Sequence, residues 1–463
     1  MCGITAIIHN KSVISKRNII YDLYESLYHL QHRGQDGFGI SYLHNGQINV
    51  CKYKGLLSTI DISQKLNSIK TTSAIGHVRY PTFGDNTLRE CQPFYLTGSL
   101  YNISMVHNGQ IWITDKLKEY FNLHDIPLLD TTSDTTYLIS FLSYHLNQNK
   151  ILNYHKLKEI IDELYNLFEG SYNCICMIEG YGTICFKDPN SIRPLILGHK
   201  NNSYIISSES VSITSIDYNI IGDIYGNELH IFKDDSYNKM KINNSEYKFT
   251  PCIFEWIYLA REESVIYGVN VYQSRLKMGE LLAQKIKRIV DINDIDLVIP
   301  IPDTSKPVTL QIANFLQKPY YEAITKNRYI NRTFIMDSQG TRKKNIKRKL
   351  NVIRNIVEKK NLLIVDDSIV RGNTIAHIIN LLRLNNVGKI FVASSSPEII
   401  NCNKYGLDIP NKYDLISYNT LCIEKELNVE KVIFMDLEDL KKSIQYFNPN
   451  ITDFELSIYN ITQ

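Results

Sequence analysis

Three groups of residues in this sequence are of types and spacings that could do chemistry. The chain opens Met1-Cys2-Gly3. Removing the initiator Met ahead of a small residue would leave Cys2 with a free α-amino group. An amine with an unperturbed pKa of about 8 can take the proton of the adjoining thiol, which makes an internally activated nucleophile. Taken alone, a second-position cysteine is equally an incidental terminal residue. The second group is an ordered series: Leu30-Gln31-His32-Arg33-Gly34-Gln35-Asp36-Gly37, then Gly76-His77-Val78-Arg79-Tyr80, then His107-Asn108-Gly109, then Ser133-Asp134-Thr135. The third is an apolar run at residues 362–365 that ends in Asp366-Asp367 and continues Ser368-Ile369-Val370-Arg371-Gly372-Asn373-Thr374. Carboxylates at the end of a buried strand suit vicinal hydroxyls and a hydrated divalent cation. Small residues opening a helix present backbone N–H groups to a phosphate. A bare Asp-Asp would otherwise be a solvated turn.

The elements that must hold these residues differ between the halves of the chain. Up to about Tyr237, short strands alternate with turn signals, as at residues 4–8, 73–78, 102–106, 174–178 and 182–186. Leu23, Leu27 and Leu30 share a helical face, and residues 135–146 read as a helix behind a Ser-Asp cap. Hairpin-connected strands with a few helices imply a layered α+β domain. The polar residues 234–245 read as a linker, with a boundary near residue 240. Beyond it, strand and helix alternate: a helix through Met278, Leu282, Ile286 and Ile289, a strand at 296–301, another at 361–365, a helix from Thr374, and a strand at 389–393. That alternation implies a parallel sheet with helices on its faces.

Bulk properties exclude several classes. At 463 residues the chain is too long for one ordinary core. Its net charge of +3, with 44% hydrophobic and 21% charged residues, argues for no nucleic-acid or membrane partner. No apolar run is long enough to span a bilayer, and the N-terminus lacks a secretory pattern. Nine scattered cysteines argue against a disulfide framework, so a reducing cytoplasm is expected.

The four ordered motifs of the first half resemble the glutaminase domain of class-II glutamine amidotransferases, a group of N-terminal-nucleophile hydrolases with αββα layers. The resemblance implies that Cys2 attacks the amide carbon of glutamine. It gives Asn108 and Gly109 the oxyanion, Arg79 the substrate α-carboxylate and Asp134 its α-ammonium. These roles are chemically apt, since an amide and a backbone N–H stabilise an oxyanion and a guanidinium forks onto a carboxylate. Outside the ordered set the same residues have plainer readings. Asn108-Gly109 would be a hairpin turn, Arg79 a surface ion pair and Asp134 a helix N-cap.

The thirteen residues 362–374 look like the phosphoribosylpyrophosphate loop of type I phosphoribosyltransferases, an α/β fold with a mainly parallel sheet. Around them stand Cys252-Ile253-Phe254-Glu255, Tyr258, Ala260-Arg261, the run from Val298 to Ser305, Lys326-Asn327-Arg328-Tyr329 and Arg332-Thr333-Phe334-Ile335-Met336. Together with the first half, nearly the whole chain resembles the amidophosphoribosyltransferase family. That resemblance implies a glutaminase domain over 2–237 and a phosphoribosyltransferase domain over 250–445, extended to 463. The implied reaction transfers ammonia from glutamine to C1 of 5-phosphoribosyl-1-pyrophosphate, giving 5-phosphoribosylamine, glutamate and pyrophosphate, the first step of de novo purine biosynthesis.

The resemblance assigns Asp366, Asp367, Ser368, Arg371, Gly372, Asn373, Thr374, Lys326 and Arg328 to the phosphoribosyl substrate. Thr304, Asp366 and Asp367 would serve Mg²⁺. Tyr80, Tyr258, Phe334 and Ile335 would line an ammonia channel, although core packing explains each as well. Between residues 326 and 354, ten Lys or Arg face one acid, Asp337. A solvated basic face or nucleic-acid binding could account for the run, but a highly anionic substrate accounts for it better. Some family members carry an iron–sulphur cluster held by four cysteines, two of them in a C-terminal Cys-x-x-Cys. Here Cys252 has no such partner motif, Cys402 is displaced by one residue and Cys422 is isolated, so no cluster is expected. The propeptide that precedes the cysteine in those members is also expected to be missing. Asn331 and Asp337 replace a Gly and a Pro common in the family, which argues against nucleotide feedback. A homotetramer is implied by analogy alone.

Two rival readings stand beside this one. A catalytically altered regulatory protein could keep the phosphoribosylpyrophosphate pocket, but it would need a DNA-binding domain for which the sequence offers no place. A related amidotransferase could serve another acceptor, against which the Asp366-Asp367 loop counts.

Overall fold

The computed structural model describes residues 2–9, 18–60, 62, 69–80, 87–242, 247–327, 350–409 and 411–459. In the first half the strands are β1 (Gly3–His9), β2 (Gly37–His44), β3 (Gln47–Lys54), β4 (Ser73–Arg79), β5 (Phe94–Leu96), β6 (Ile103–Trp112), β7 (Glu169–Ile178), β8 (Gly182–Lys187), β9 (Ile196–Lys200), β10 (Ser203–Ser207), β11 (Asn219–Asp223), β12 (Glu228–Lys233) and β13 (Ser236–Lys241). They form two antiparallel sheets, ordered β11-β9-β10-β1-β4-β2-β3 and β13-β12-β8-β7-β6-β5.

Strand alternation decides how the sheets stack. Successive side chains point to opposite faces. In β1, Ile4 and Ala6 enter a core shared with Val106 and Ile175 of the other sheet. Ile7 points the other way, under Leu23 and Leu27 of the helix Ile19–His29. In β7, Ile175 and Met177 fill the inter-sheet core, while Cys174 and Cys176 face the helices Thr135–Asn147 and Tyr154–Leu167. The result is the expected helix–sheet–sheet–helix stack.

The polar run read as a linker is not one throughout. Its first part is a hairpin, with β13 pairing along β12 from Ser236↔Lys233 to Lys241↔Glu228. β13 is the edge strand of its sheet, and one solvated face explains its polar composition.

In the second half, strands Leu297–Pro300, Leu362–Asp366, Ile390–Ser394 and Lys431–Phe434 lie side by side in that order, all parallel. Leu363 and Val365 pack on the side of the helices Val271–Ile289 and Lys306–Leu316. Leu362 and Ile364 pack against the helix Asn373–Leu384 on the other side. Burial on both faces explains why these strands read as unbroken apolar runs. Parallel pairing of Pro300 with Val365 brings the loops that follow both strands to one edge of the sheet. Among the described residues, no helix is long and apolar enough to cross a membrane.

Candidate active sites

The first site lies at one end of the two-sheet sandwich. Cys2, His77, Arg79, Tyr80, Glu90, Gln92, His107, Gly109, Ser133, Asp134 and Thr135 line one cavity there. Cys2 sits just ahead of β1, half-buried, with Sγ 3.6 Å from the carbonyl oxygen of Tyr80. Arg79, the last residue of β4, is buried and enters the cavity from the neighbouring strand. The backbone beneath it is tightly packed, because a β-carbon at Gly34 would come within 2.6 Å of the Arg79 backbone. This close approach explains the glycine of the Arg33-Gly34 motif.

Asn108 and Gly109 are not a hairpin turn. They lie inside β6, opposite Asn173 and Tyr172 of β7. Asn108 is almost fully buried, and neither its Oδ1 nor its Nδ2 has a hydrogen-bond partner among the described residues. Gly109 has φ +153°, and a β-carbon there would lie 2.0 Å from the Ser171 carbonyl oxygen, so only glycine fits. Asp134 precedes the helix Thr135–Asn147, but its side chain does not cap it. Oδ2 instead accepts from the Ile111 backbone N–H at 2.8 Å, which holds the carboxylate toward the cavity.

Two histidines in the cavity are treated differently. His107 is engaged, with Nδ1 2.9 Å from the Thr135 hydroxyl and Nε2 3.5 Å from the Ser171 carbonyl. His77 is fully buried, and neither ring nitrogen has a partner among the described residues. Burial, then the Arg79 charge, push its pKa well below the ordinary value, so the ring is neutral.

The second site lies at the carboxyl edge of the parallel sheet. Asp366 ends its strand buried, and Asp367 follows half-buried. Burial and the neighbouring Asp367 raise the Asp366 carboxyl well above the usual range, and burial pushes Asp367 up to about 6. Ser368 donates to Asp367 Oδ1 at 2.8 Å. The loop then enters the helix Asn373–Leu384 through Gly372, whose φ is +74°. Among the described residues no side chain caps that helix, and Arg371, Asn373 and Thr374 are exposed around its start. From the adjacent strand, the loop after Pro300 carries Thr304. Lys326 reaches that loop, pairing with Asp303 at 3.0 Å.

A loop of the second half joins the two sites. Tyr405 accepts from the Ser171 hydroxyl at 2.9 Å, and Trp112 Nε1 donates to the Lys404 carbonyl at 2.6 Å. A β-carbon on Gly406 would lie 3.4 Å from the Gly109 carbonyl. Asp408 of this loop accepts from the Tyr80 hydroxyl at 3.4 Å and lies 3.8 Å from Arg371. Sequence reasoning missed Asp408 because nothing local marks it. It passed over Asp303, although that residue stands inside a quoted motif, and it gave His77 no role. Tyr258 is 38% exposed on the short helical turn Glu255–Leu259. Arg328, Asn331, Phe334, Ile335 and Asp337 lie outside the described residues.

Known proteins resemble this chain over its length. The family described as class-II glutamine amidotransferases matches residues 12–177. The amidophosphoribosyltransferase of Pasteurella multocida is 38% identical, over 99% of this chain and 92% of its own length. That of Methanocaldococcus jannaschii is 31% identical, over 96% of this chain and 94% of its own. The solved glutamine phosphoribosylpyrophosphate amidotransferase from B. subtilis, complexed with ADP and GMP, superimposes with a TM-score of 0.83 at 28% identity, covering 100% of this chain and 99% of that one.

Proposed function

The chain belongs to the amidophosphoribosyltransferase family, and on that premise we propose that Cys2 releases ammonia from glutamine and that residues 366–374 hold the 5-phosphoribosyl-1-pyrophosphate that receives it. The activity is that of a glycosyltransferase of purine biosynthesis, yielding 5-phosphoribosylamine, glutamate and pyrophosphate. The observation that carries the assignment of the nucleophile is the convergence of Cys2, Arg79, Gly109 and Asp134, from four separate segments, on one cavity.

At that cavity Arg79 binds the α-carboxylate of glutamine and Asp134 its α-ammonium. These contacts bring the side-chain amide to Cys2. Once the initiator Met is removed, the α-amine takes the thiol proton and the sulfur adds to the amide carbon. Asn108 Nδ2 and the Gly109 N–H donate to the oxyanion. Asn108, with no partner among the described residues, needs no rearrangement to do so, which is what makes such donors effective. Collapse breaks the C–N bond, the amine proton goes to the leaving nitrogen, and ammonia departs from a thioester.

At the second site, Asp366 and Asp367 accept from the ribose hydroxyls. The loop N–H groups and the helix start hold the 5′-phosphate, with Ser368, Arg371, Gly372, Asn373 and Thr374 around it. Lys326 and Arg328 meet the remaining negative charge. The ammonia lone pair forms the new bond at C1 as the C1–O bond to pyrophosphate breaks, and the new amine loses one proton. The protein mainly positions and excludes water. Mg²⁺ fits the donor set, because two adjacent carboxylates that repel each other are hard oxygen ligands, and the loop carrying Thr304 follows the neighbouring parallel strand to the same sheet edge. When bound, it neutralises charge on the pyrophosphate leaving group.

Ammonia is mostly protonated in neutral water, so direct passage between the sites preserves its reactivity. Tyr80 and Tyr258, with Phe334 and Ile335, are the residues we assign to that passage. An iron–sulphur cluster does not fit, since the second half has only Cys252, Cys402 and Cys422. All nine cysteines are unpaired, which supports a cytoplasmic setting. A homotetramer is carried over from the family and is read by light scattering.

The test is product formation from phosphoribosylpyrophosphate, glutamine and Mg²⁺ with wild type and Cys2→Ala. The variant should lose glutamine-dependent activity and keep ammonia-dependent activity. Full glutamine-dependent activity in the variant would overturn the assignment of the nucleophile.

A further inference from the structure

We infer that His77 is a positioning residue for the second half of the glutaminase reaction, holding the water that hydrolyses the γ-glutamyl thioester on Cys2. The inference rests on Cys2 being the nucleophile and extends that reading to a step it leaves unassigned.

The geometry carries it. His77 and Arg79 are two residues apart on β4, so both point to the same face, toward the inter-sheet space that Ile75 of the same strand helps to fill. His77 pairs in register with Ile4 of β1, two residues beyond Cys2, and lines the same cavity as Cys2, Arg79, Gly109 and Asp134. It is fully buried, yet both ring nitrogens are without a partner among the described residues. Buried polar groups in native proteins are paired, and a pair of unpaired nitrogens facing a substrate cavity calls for a non-protein partner. His107 offers the contrast, since both its nitrogens are engaged by Thr135 and Ser171. The other unpartnered group nearby, Asn108, is accounted for by the oxyanion.

The ring's charge state suits the task. Burial, with Arg79, His107 and Lys52 around it, keeps the imidazole neutral. A neutral ring offers one donor and one acceptor, which can orient a water without competing for the substrate carboxylate. In the step itself, the water oxygen adds to the thioester carbonyl and the C–S bond breaks. The proton leaves the water for the Cys2 α-amine and returns to the sulfur, and glutamate departs. His77 ends as it began.

The test uses the full-length enzyme carrying His77→Ala and His77→Gln, with ammonia-dependent synthesis at the other site as the measure of intact folding. Three readouts are taken: inactivation by 6-diazo-5-oxo-L-norleucine, steady-state glutamine hydrolysis, and the mass of acid-quenched protein during turnover. Inactivation should stay within about 3-fold of wild type, because attack by Cys2 is untouched, while hydrolysis falls roughly 10- to 100-fold as a positioned water is lost. A γ-glutamyl adduct on Cys2 should accumulate in His77→Ala, and hydroxylamine, which attacks thioesters without a positioned water, should restore turnover as the hydroxamate. His77→Gln, which keeps a donor and an acceptor, should lie between. Parallel loss of inactivation and hydrolysis, with no adduct, would overturn the inference while leaving Cys2 as nucleophile. Failure of the diazo compound to label Cys2 in wild type would overturn both.

Discussion

Arg33 and Glu255 meet at 2.6 Å, Nη2 to Oε2, with both side chains about 1% exposed and one contributed by each half of the chain. Arg33 also pairs with Glu209, which accepts from the Ser264 hydroxyl at 2.7 Å and from the Arg261 N–H at 3.0 Å. Arg193 stands 3.6 Å from Glu255. Against burial, which would raise it, Arg33 and His32 hold the Glu209 carboxyl well below the usual range. The next residue, Gly34, lies on the Arg79 backbone, so this junction is one step from the cavity that Cys2 and Arg79 line.

Removing one member of such a network leaves the others charged and buried. Arg33→Met should therefore destabilise the protein by about 3–5 kcal/mol, read from denaturant unfolding. An unchanged midpoint would show that the pair contributes nothing.

Asn108→Ala deletes one of the two proposed oxyanion donors without touching Arg79 or Asp134. Glutamine-dependent kcat should fall by about 100- to 1,000-fold with little change in KM, while ammonia-dependent synthesis is unaffected. A rise in KM alone would mean that Asn108 binds glutamine and not its transition state.

Asp367→Asn should depress glutamine- and ammonia-driven synthesis alike, by about 100-fold or more, because both need the ribose held in place. Hydrolysis of glutamine without the phosphoribosyl substrate should persist. Synthesis that survives the substitution would place the substrate elsewhere.

Asp408 touches Tyr80 beside Cys2 and Arg371 on the phosphoribosyl loop. Asp408→Asn keeps the shape and removes one of two charges beside Arg371, the other being Asp414 at 3.5 Å. The variant should make less phosphoribosylamine per glutamate released, with each half-reaction near wild type when assayed separately. A wild-type ratio would reduce the contact to packing.

Lys187 is fully buried, donating to the Tyr267 hydroxyl at 2.7 Å, and burial pushes its pKa down to about 8. Between pH 8 and the ordinary lysine value, the unfolded chain binds the proton more strongly, so stability rises with pH across that window. Relative to Lys187→Met, wild type should gain on the order of 1–3 kcal/mol between pH 8 and 10. A stability difference that is flat in pH would show that Lys187 is not held in this way.

Much of this molecule is legible in one dimension. Strands such as residues 362–366 announce themselves because burial on both faces demands an apolar run. The helix behind Asp134 was likewise visible from spacing. The order of Cys2, Arg79, Asn108-Gly109 and Asp134 points to glutamine chemistry through its resemblance to class-II glutamine amidotransferases; taken singly, each of these residues has a plainer reading. Spacing cannot record which remote segments meet. The polar residues of β13 looked like a linker because an exposed edge strand and a loop have similar compositions. Asn108-Gly109 fits a turn equally well in isolation, and only pairing with β7 makes it mid-strand. The partnering of His107, the isolation of His77, the buried Arg33–Glu255 contact and the reach of Asp408 to Tyr80 all depend on chain segments tens to hundreds of residues apart. Hydrogen bonding and burial are properties of the packed surroundings, so the sequence determined the chemistry available and the tertiary structure decided which groups were left free to perform it.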